Sequence, residues 1–177
     1  MPAPSGNIPQ APQTAAGERP VASASWRLSE LGIVLPTPPV PLGAYVAASE
    51  TGGMLFLSGM LPLVDRKLVF SGRLGEGLTV EQGQEAARLA SLNALAVAQQ
   101  YLGSLDRLRK LVKLKVLMVT TEDFTQHAAV GDGASHLFAE VFGSQSHAGH
   151  VRVVYGVQSM PLGSPVMVET VFEITPP

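Results

Sequence analysis

TVEQGQEAARLASLNALAVAQQYLGSLDRLRKLVKLKVLMVT, residues 79–120, changes from a helical period to a strand period on either side of Gly103. Thr79 opens the helix: its hydroxyl can accept from the first turn while the Gln82 side chain reaches back to the Thr79 backbone. Ala86, Leu89, Leu92 and Ala96 make one apolar face, and Gly103 stops the helix. From Lys110 to Thr120 the pattern alternates, with Val112, Leu114, Val116 and Met118 on one side and Lys113 and Lys115 on the other. That is the signature of a half-buried strand.

The flanking sequence supplies the partners of this pair. Upstream, Tyr45-Val46-Ala47 and Met54-Leu55-Phe56-Leu57 read as strands joined by a turn at Thr51-Gly52-Gly53, with a third short strand at Leu68-Val69-Phe70. Downstream, Ala134, Leu137, Phe138, Val141 and Phe142 follow helical spacing up to Gly143. Two apolar strands, Val151–Val157 and Val166–Phe172, complete the order strand, strand, strand, helix, strand, helix, strand, strand. This is an α+β chain with a mixed sheet covered on one face by two helices. The other face needs a partner, which points to an oligomer.

The length of 177 residues suits one domain with a real core. With 46% hydrophobic and 15% charged residues, much of the chain is interior or interface. No apolar run approaches the roughly 20 residues of a bilayer helix, so no membrane is expected. A net charge of -2 provides no basic field, so nucleic acid is not the expected partner. The absence of cysteine removes disulfides, thiol nucleophiles and thiolate metal sites. Residues 1–25 have neither the charged start nor the apolar centre of a signal peptide, which suggests a cytoplasmic protein. They are rich in Pro, Ala, Ser, Gln and Gly, and a disordered or loosely packed tail is expected ahead of a domain spanning 26–177. Trp26, Leu28 and Leu31 then suit a short helix ended by Gly32, before a connection through Pro36, Pro38 and Pro39.

Arg152 and Glu169 are charges inside apolar strands, where loss of hydration costs several kcal/mol unless a partner or ligand offsets it. Either they form a structural ion pair or they face a pocket. If their faces coincide, Gly156 leaves room beside them for a small carboxylic acid, gripped by the guanidinium, with the glutamate holding water. Other candidates carry less. Gly72, Gly75 and Gly77 precede a helix but lack the lysine of a phosphate loop. His147 and His150 have a metal-like spacing, with His127 and His136 elsewhere, yet no thiol or carboxylate completes a set. Ser58 has no nucleophile elbow around it and reads as a strand-end hydrogen-bond donor. No metal and no cofactor is expected.

Gly43-Ala44-Tyr45-Val46, Leu57-Ser58-Gly59 with Pro62, Gly72-x-x-Gly75, Ala86-Ala87-Arg88 to Leu92-Asn93-Ala94-Leu95, Phe142-Gly143, His150-Val151-Arg152, Tyr155-Gly156-Val157, Met160-Pro161 and Val168-Glu169 occur in an order and spacing that resembles the RidA/YjgF family. The family is also called L-PSP endoribonuclease-like, and the likeness is to its longer, poorly characterised branch, from about Leu28 to Ile174. The resemblance implies a chorismate-mutase-like fold, a homotrimer and small-molecule sites between subunits. It implies hydrolytic deamination of reactive 2-imino or 2-enamino acids to 2-oxo acids and ammonia. Arg152 would bind the substrate carboxylate, Glu169 would position water, and Tyr45 and Ser58 would line the site. A trimer that binds small carboxylates without turning them over is the alternative, and an endoribonuclease ranks third. Met60 stands where the family usually has glutamine, His150 where it has the proline of Pro-x-Arg, and Ser135 where the deaminases carry a helical asparagine. The turn from Met160-Pro161 to Glu169 is also longer, by about two residues.

Overall fold

The computed structural model describes residues 23–143 and 149–176; of the expected N-terminal tail, residues 1–22 lie outside these. Helix α1 (Ala24–Glu30) is capped by Ser23, whose side chain accepts from the Trp26 N–H. It buries Ala24 and Leu28, whereas Trp26 and Leu31 are exposed. Trp26 and Leu28 are two positions apart, which puts them on opposite sides of a helix, so the three expected anchors cannot share one face.

Strands β1 (Ala48–Thr51) and β2 (Met54–Leu57) form the expected hairpin, with Gly52 and Gly53 both at positive φ in the turn. The first strand begins after Tyr45-Val46-Ala47 rather than on it. Ser58 N–H donating to the Ala47 carbonyl is the last hydrogen bond across the pair. The third strand expected at Leu68-Val69-Phe70 is instead a two-pair hairpin, β3 (Leu63–Val64) and β4 (Lys67–Leu68), outside the main sheet. A short parallel pair, β5 (Arg73–Leu74) and β6 (Gly77–Leu78), leads into helix α2 (Val80–Leu102). There follow strand β7 (Leu108–Val119), helix α3 (His127–Phe142), strand β8 (Val151–Val157) and strand β9 (Val166–Ile174).

Helix α2 has both halves of its capping box: Thr79 accepts from Gln82 N–H and Gln82 accepts from Thr79 N–H. Gly103 ends it in the left-handed conformation at φ 78°. Its centre is buried on every side from Ala90 to Ala98, because α3 and β9 both pack on it. The single apolar face expected from Ala86, Leu89, Leu92 and Ala96 is thus too narrow, and Leu89 is only half-buried. Alanines allow this, since their small side chains admit neighbours all round.

The main sheet runs β1-β2-β9-β7-β8, antiparallel except for the parallel pair β7 and β8. Along β9 burial alternates without a break, Val166, Val168, Thr170, Phe172 and Ile174 being buried. Phe138 of α3 meets Phe172 edge-on at 5.8 Å and lies stacked near Phe142 at 6.4 Å, joining helix to sheet. Strand β7 departs from strict alternation, with register shifts between Leu108 and Lys110 and between Leu111 and Lys113. The bulges bury Leu111 together with Leu114 and leave Val112, expected inward, half-buried. The far face carries Phe56, Lys115, Glu169 and Val171, and among the described residues no helix packs over it. No helix among the described residues is long and apolar enough to cross a membrane.

Candidate functional site

Register decides where the strand charges go. Arg152 on β8 pairs with Leu114 of β7, a fully buried residue of the helix side. Glu169 on β9 pairs with Lys115, the next residue of β7, so its side chain leaves the opposite face. The two faces therefore do not coincide in one chain, and the residues do not pair with each other. Each has another partner.

Arg152 reaches over Gly131 of α3. A Cβ at Gly131 would stand 2.8 Å from Val154 Cγ1 and 3.4 Å from Arg152 Nη1, so the glycine makes room for the guanidinium. Arg152 Nη1 donates to Asp132 Oδ1 at 2.7 Å and to Ser135 Oγ at 2.9 Å, and Nη2 donates to the Ala128 carbonyl at 3.4 Å. Ser135 Oγ also lies 3.0 Å from His150 Nε2. Burial first, and the Arg152 charge second, push the His150 pKa below its ordinary value. In the neutral tautomer with its proton on Nδ1, the imidazole accepts a hydrogen bond from the Ser135 hydroxyl at Nε2, which extends the donors of Arg152 through Ser135 to His150.

On the open face, Glu169 Oε2 accepts from Lys115 Nζ at 3.0 Å. That hydrogen bond, with Tyr155 adding to it, raises the Lys115 pKa. Beside Glu169 on the same face, Met167 lines a cavity of about 250 Å³ together with Tyr45, Ser58, Met60, Leu42 and Pro161. The cavity is shaped by close contacts. Gly59 lies against Met167, whose Sδ would be 2.4 Å from any Cβ there. Met60 is buried and exchanges backbone hydrogen bonds with Val168 at 2.7 and 2.9 Å. Asn93 of α2 holds the wall in place by donating to the carbonyls of Leu61 and Leu63, both at 2.9 Å. The Tyr45 hydroxyl is turned back on its own loop, accepting from Leu42 N–H at 3.2 Å.

The structure thus brings Tyr45 and Ser58 together on one cavity, places Glu169 on the same side of the sheet, and sets Arg152 on the other side at the edge strand. Spacing alone did not reveal Asp132 or Lys115, the intrachain partners of the two charges. Lys115 was legible as an outward strand residue. Asp132 was not, because the apolar positions that mark α3 in the sequence begin beyond it, at Ala134.

The remaining candidates resolve into structural roles. Gly75 packs under Thr121, whose Oγ1 would be 2.4 Å from an added Cβ, while Leu74 and Thr121 share a backbone hydrogen bond. The glycine loop is in this way docked on the end of β7. His127 meets Phe124 edge-on at 5.2 Å, His136 is exposed, and His147 lies outside the described residues. Among the described residues, no three His, Cys, Asp or Glu side chains gather as a metal site would need.

A family model described as "YjgF/chorismate mutase-like, putative endoribonuclease" matches residues 25–174. The chain belongs to the RidA/YjgF family. The chain is similar to the Trypanosoma cruzi protein TCP17, 39% identical over 147 residues, or 83% of this chain and 91% of TCP17. Among solved structures, one from Shewanella oneidensis is 34% identical with a TM-score of 0.81, covering 86% of this chain and 99% of the other. A protein of unknown function from Agrobacterium tumefaciens is 32% identical with a TM-score of 0.78, covering 86% and 92%. Against the RidA/YjgF pattern, the substituted positions are now located. Ser135 and His150 form the support of Arg152, and Met60 forms the floor of the Tyr45–Ser58 cavity.

Proposed function

We propose that this chain hydrolyses reactive 2-imino and 2-enamino acids to 2-oxo acids and ammonia, in clefts between the subunits of a homotrimer. The observation that carries the reading is the division of the site. Arg152 and its Ser135–His150 support stand at the edge strand, while Tyr45, Ser58 and Glu169 stand on the open face. A second copy docked on that face is what would bring one subunit's arginine to the other's cavity. Exposed Phe56, Val153 and Tyr155 supply the apolar surface such docking needs.

Arg152 binds the substrate carboxylate and so fixes the imine carbon over the cavity. Glu169 keeps one carboxylate oxygen on Lys115 and has the other to orient water. The water oxygen attacks C2, the C=N electron pair moves to nitrogen, and nitrogen gains the proton that water loses. The resulting carbinolamine collapses: its hydroxyl proton passes to nitrogen, C=O forms, the C–N bond breaks and ammonia leaves. The same cleft without turnover is the second reading, favoured by Met60, an apolar side chain where a polar one usually stands. An endoribonuclease is third, since a net charge of -2 gives little attraction for phosphates.

The test is ammonia release from freshly generated 2-iminobutanoate. Wild type is expected to exceed buffer, and Arg152→Ala to lose about 100-fold or more, as removal of one partner of a hydrogen-bonded charge pair does, with the assembly unchanged. Saturable binding of small carboxylates with no acceleration would establish the second reading instead. RNA cleavage that survives purification and is abolished by Arg152→Ala would establish the third.

A further inference from the structure

Every charge that the proposed cleft uses already has a partner of opposite sign. Arg152 holds Asp132 at 2.7 Å and Lys115 holds Glu169 at 3.0 Å. His150, the remaining titratable group of the Arg152 cluster, is biased toward its neutral form. The cleft is therefore balanced in charge and strongly dipolar, and a simple anion gains little by entering it.

The guanidinium shows how a ligand would share it. Nη1 uses its hydrogens on Asp132 and Ser135, and Nη2 gives one to Ala128. Among the described residues, Nε and the second Nη2 hydrogen have no partner. The Nε–Nη2 edge, engaged only by the long contact of Nη2 with Ala128, is the edge on which a guanidinium can hold a carboxylate with two parallel hydrogen bonds. A ligand carboxylate bound there stands on the same guanidinium as the Asp132 carboxylate, and the two like charges repel. Asp132 is part-exposed, with its Oδ2 unbonded among the described residues. A positive nitrogen next to the ligand carboxylate cancels the repulsion; a carbonyl in the same position does not.

We infer that Asp132 is a specificity residue that makes the Arg152 cleft select zwitterions, 2-iminium and 2-amino acids, over 2-oxo acids. The inference builds on the Arg152 cleft proposed above. It also separates substrate from product. The reaction R–C(=NH2+)–COO⁻ + H2O → R–CO–COO⁻ + NH4+ takes away the ligand's cation, so the product meets the Asp132 charge uncompensated and leaves.

Calorimetry with 2-aminobutanoate, an unreactive zwitterion, and with 2-oxobutanoate reads this directly. Wild type is expected to bind 2-aminobutanoate about tenfold more tightly, the scale of one charge pair near a protein surface. Asp132→Asn keeps an acceptor for Arg152 but removes the charge. It should bring the preference to parity or reverse it, chiefly by tightening 2-oxobutanoate, and Asp132→Ala should move it the same way. A preference unchanged in both variants, or a wild type that favours 2-oxobutanoate, overturns the inference while leaving the cleft reading intact. Arg152→Ala separates the two failures. If it binds both ligands as wild type does, the cleft reading itself is wrong, and the inference falls with it. Wild type that binds neither ligand sinks both.

Discussion

His150 shows how one side chain's surroundings become a measurable property of the whole chain. Burial and the Arg152 charge both disfavour its protonated form, so the folded protein takes up this proton at lower pH than the unfolded chain, whose histidine titrates near 6.5. The stability this contributes is fully present above that value and is lost as pH falls through the depressed folded pKa. The melting temperature is accordingly expected to drop between pH 7 and pH 5, and His150→Gln should flatten that part of the slope. An equal slope in the variant would show that His150 does not carry it. The presence of Arg152 and Glu169 as unusual charges was legible in the strands, because a lone ionised residue among valines stands out in any window. Their partners were not. Asp132 and Lys115 come from other elements, and nothing local to residues 151–157 or 166–172 specifies them.

Among the elements, helix α3 illustrates how packing overrides propensity. Its first two turns contain Gly131 and Gly133, each disfavoured in a helix interior by about 1 kcal/mol relative to alanine, and the apolar spacing that marks this helix in the sequence begins only at Ala134. The helix nevertheless begins at His127, and the two glycines let it lie close against α2 and β8. A Cβ on Gly133 would stand 2.1 Å from the Gln84 carbonyl oxygen of α2. Gly133→Ala is therefore expected to lose about 1–3 kcal/mol of stability through overpacking, despite the better helix propensity of alanine. Chemical denaturation measures it; a variant as stable as wild type would mean that α2 and α3 can separate without cost. Helix α2 presents the contrary case. Thr79, Gln82 and Gly103 determine its ends through contacts a few residues apart, and those ends were legible. The bulges of β7 were not, since a bulge is a mismatch between two strands and β9 is distant in sequence.

At the scale of the whole molecule, the sheet has helices on one face and Phe56, Val153 and Tyr155 exposed elsewhere. The trimer proposed above predicts a solution mass near three times the 18.6 kDa chain by light scattering. Phe56→Glu should shift the protein to smaller species and reduce imine hydrolysis together, because a cleft shared between subunits cannot outlast their separation. A monomeric wild type, or a Phe56→Glu monomer with full activity, would exclude a shared site. What the amino-acid sequence determined by itself was the type and order of the main elements, the two-helix cover and the family, all recorded in short-range periodicity, caps and motif spacing. The tertiary structure alone decided the side of the sheet on which each charge emerges. Alternation relates a residue to its neighbours in one strand, but only the pairing of β7 with both β8 and β9 relates Arg152 to Glu169, and that pairing sets them on opposite faces.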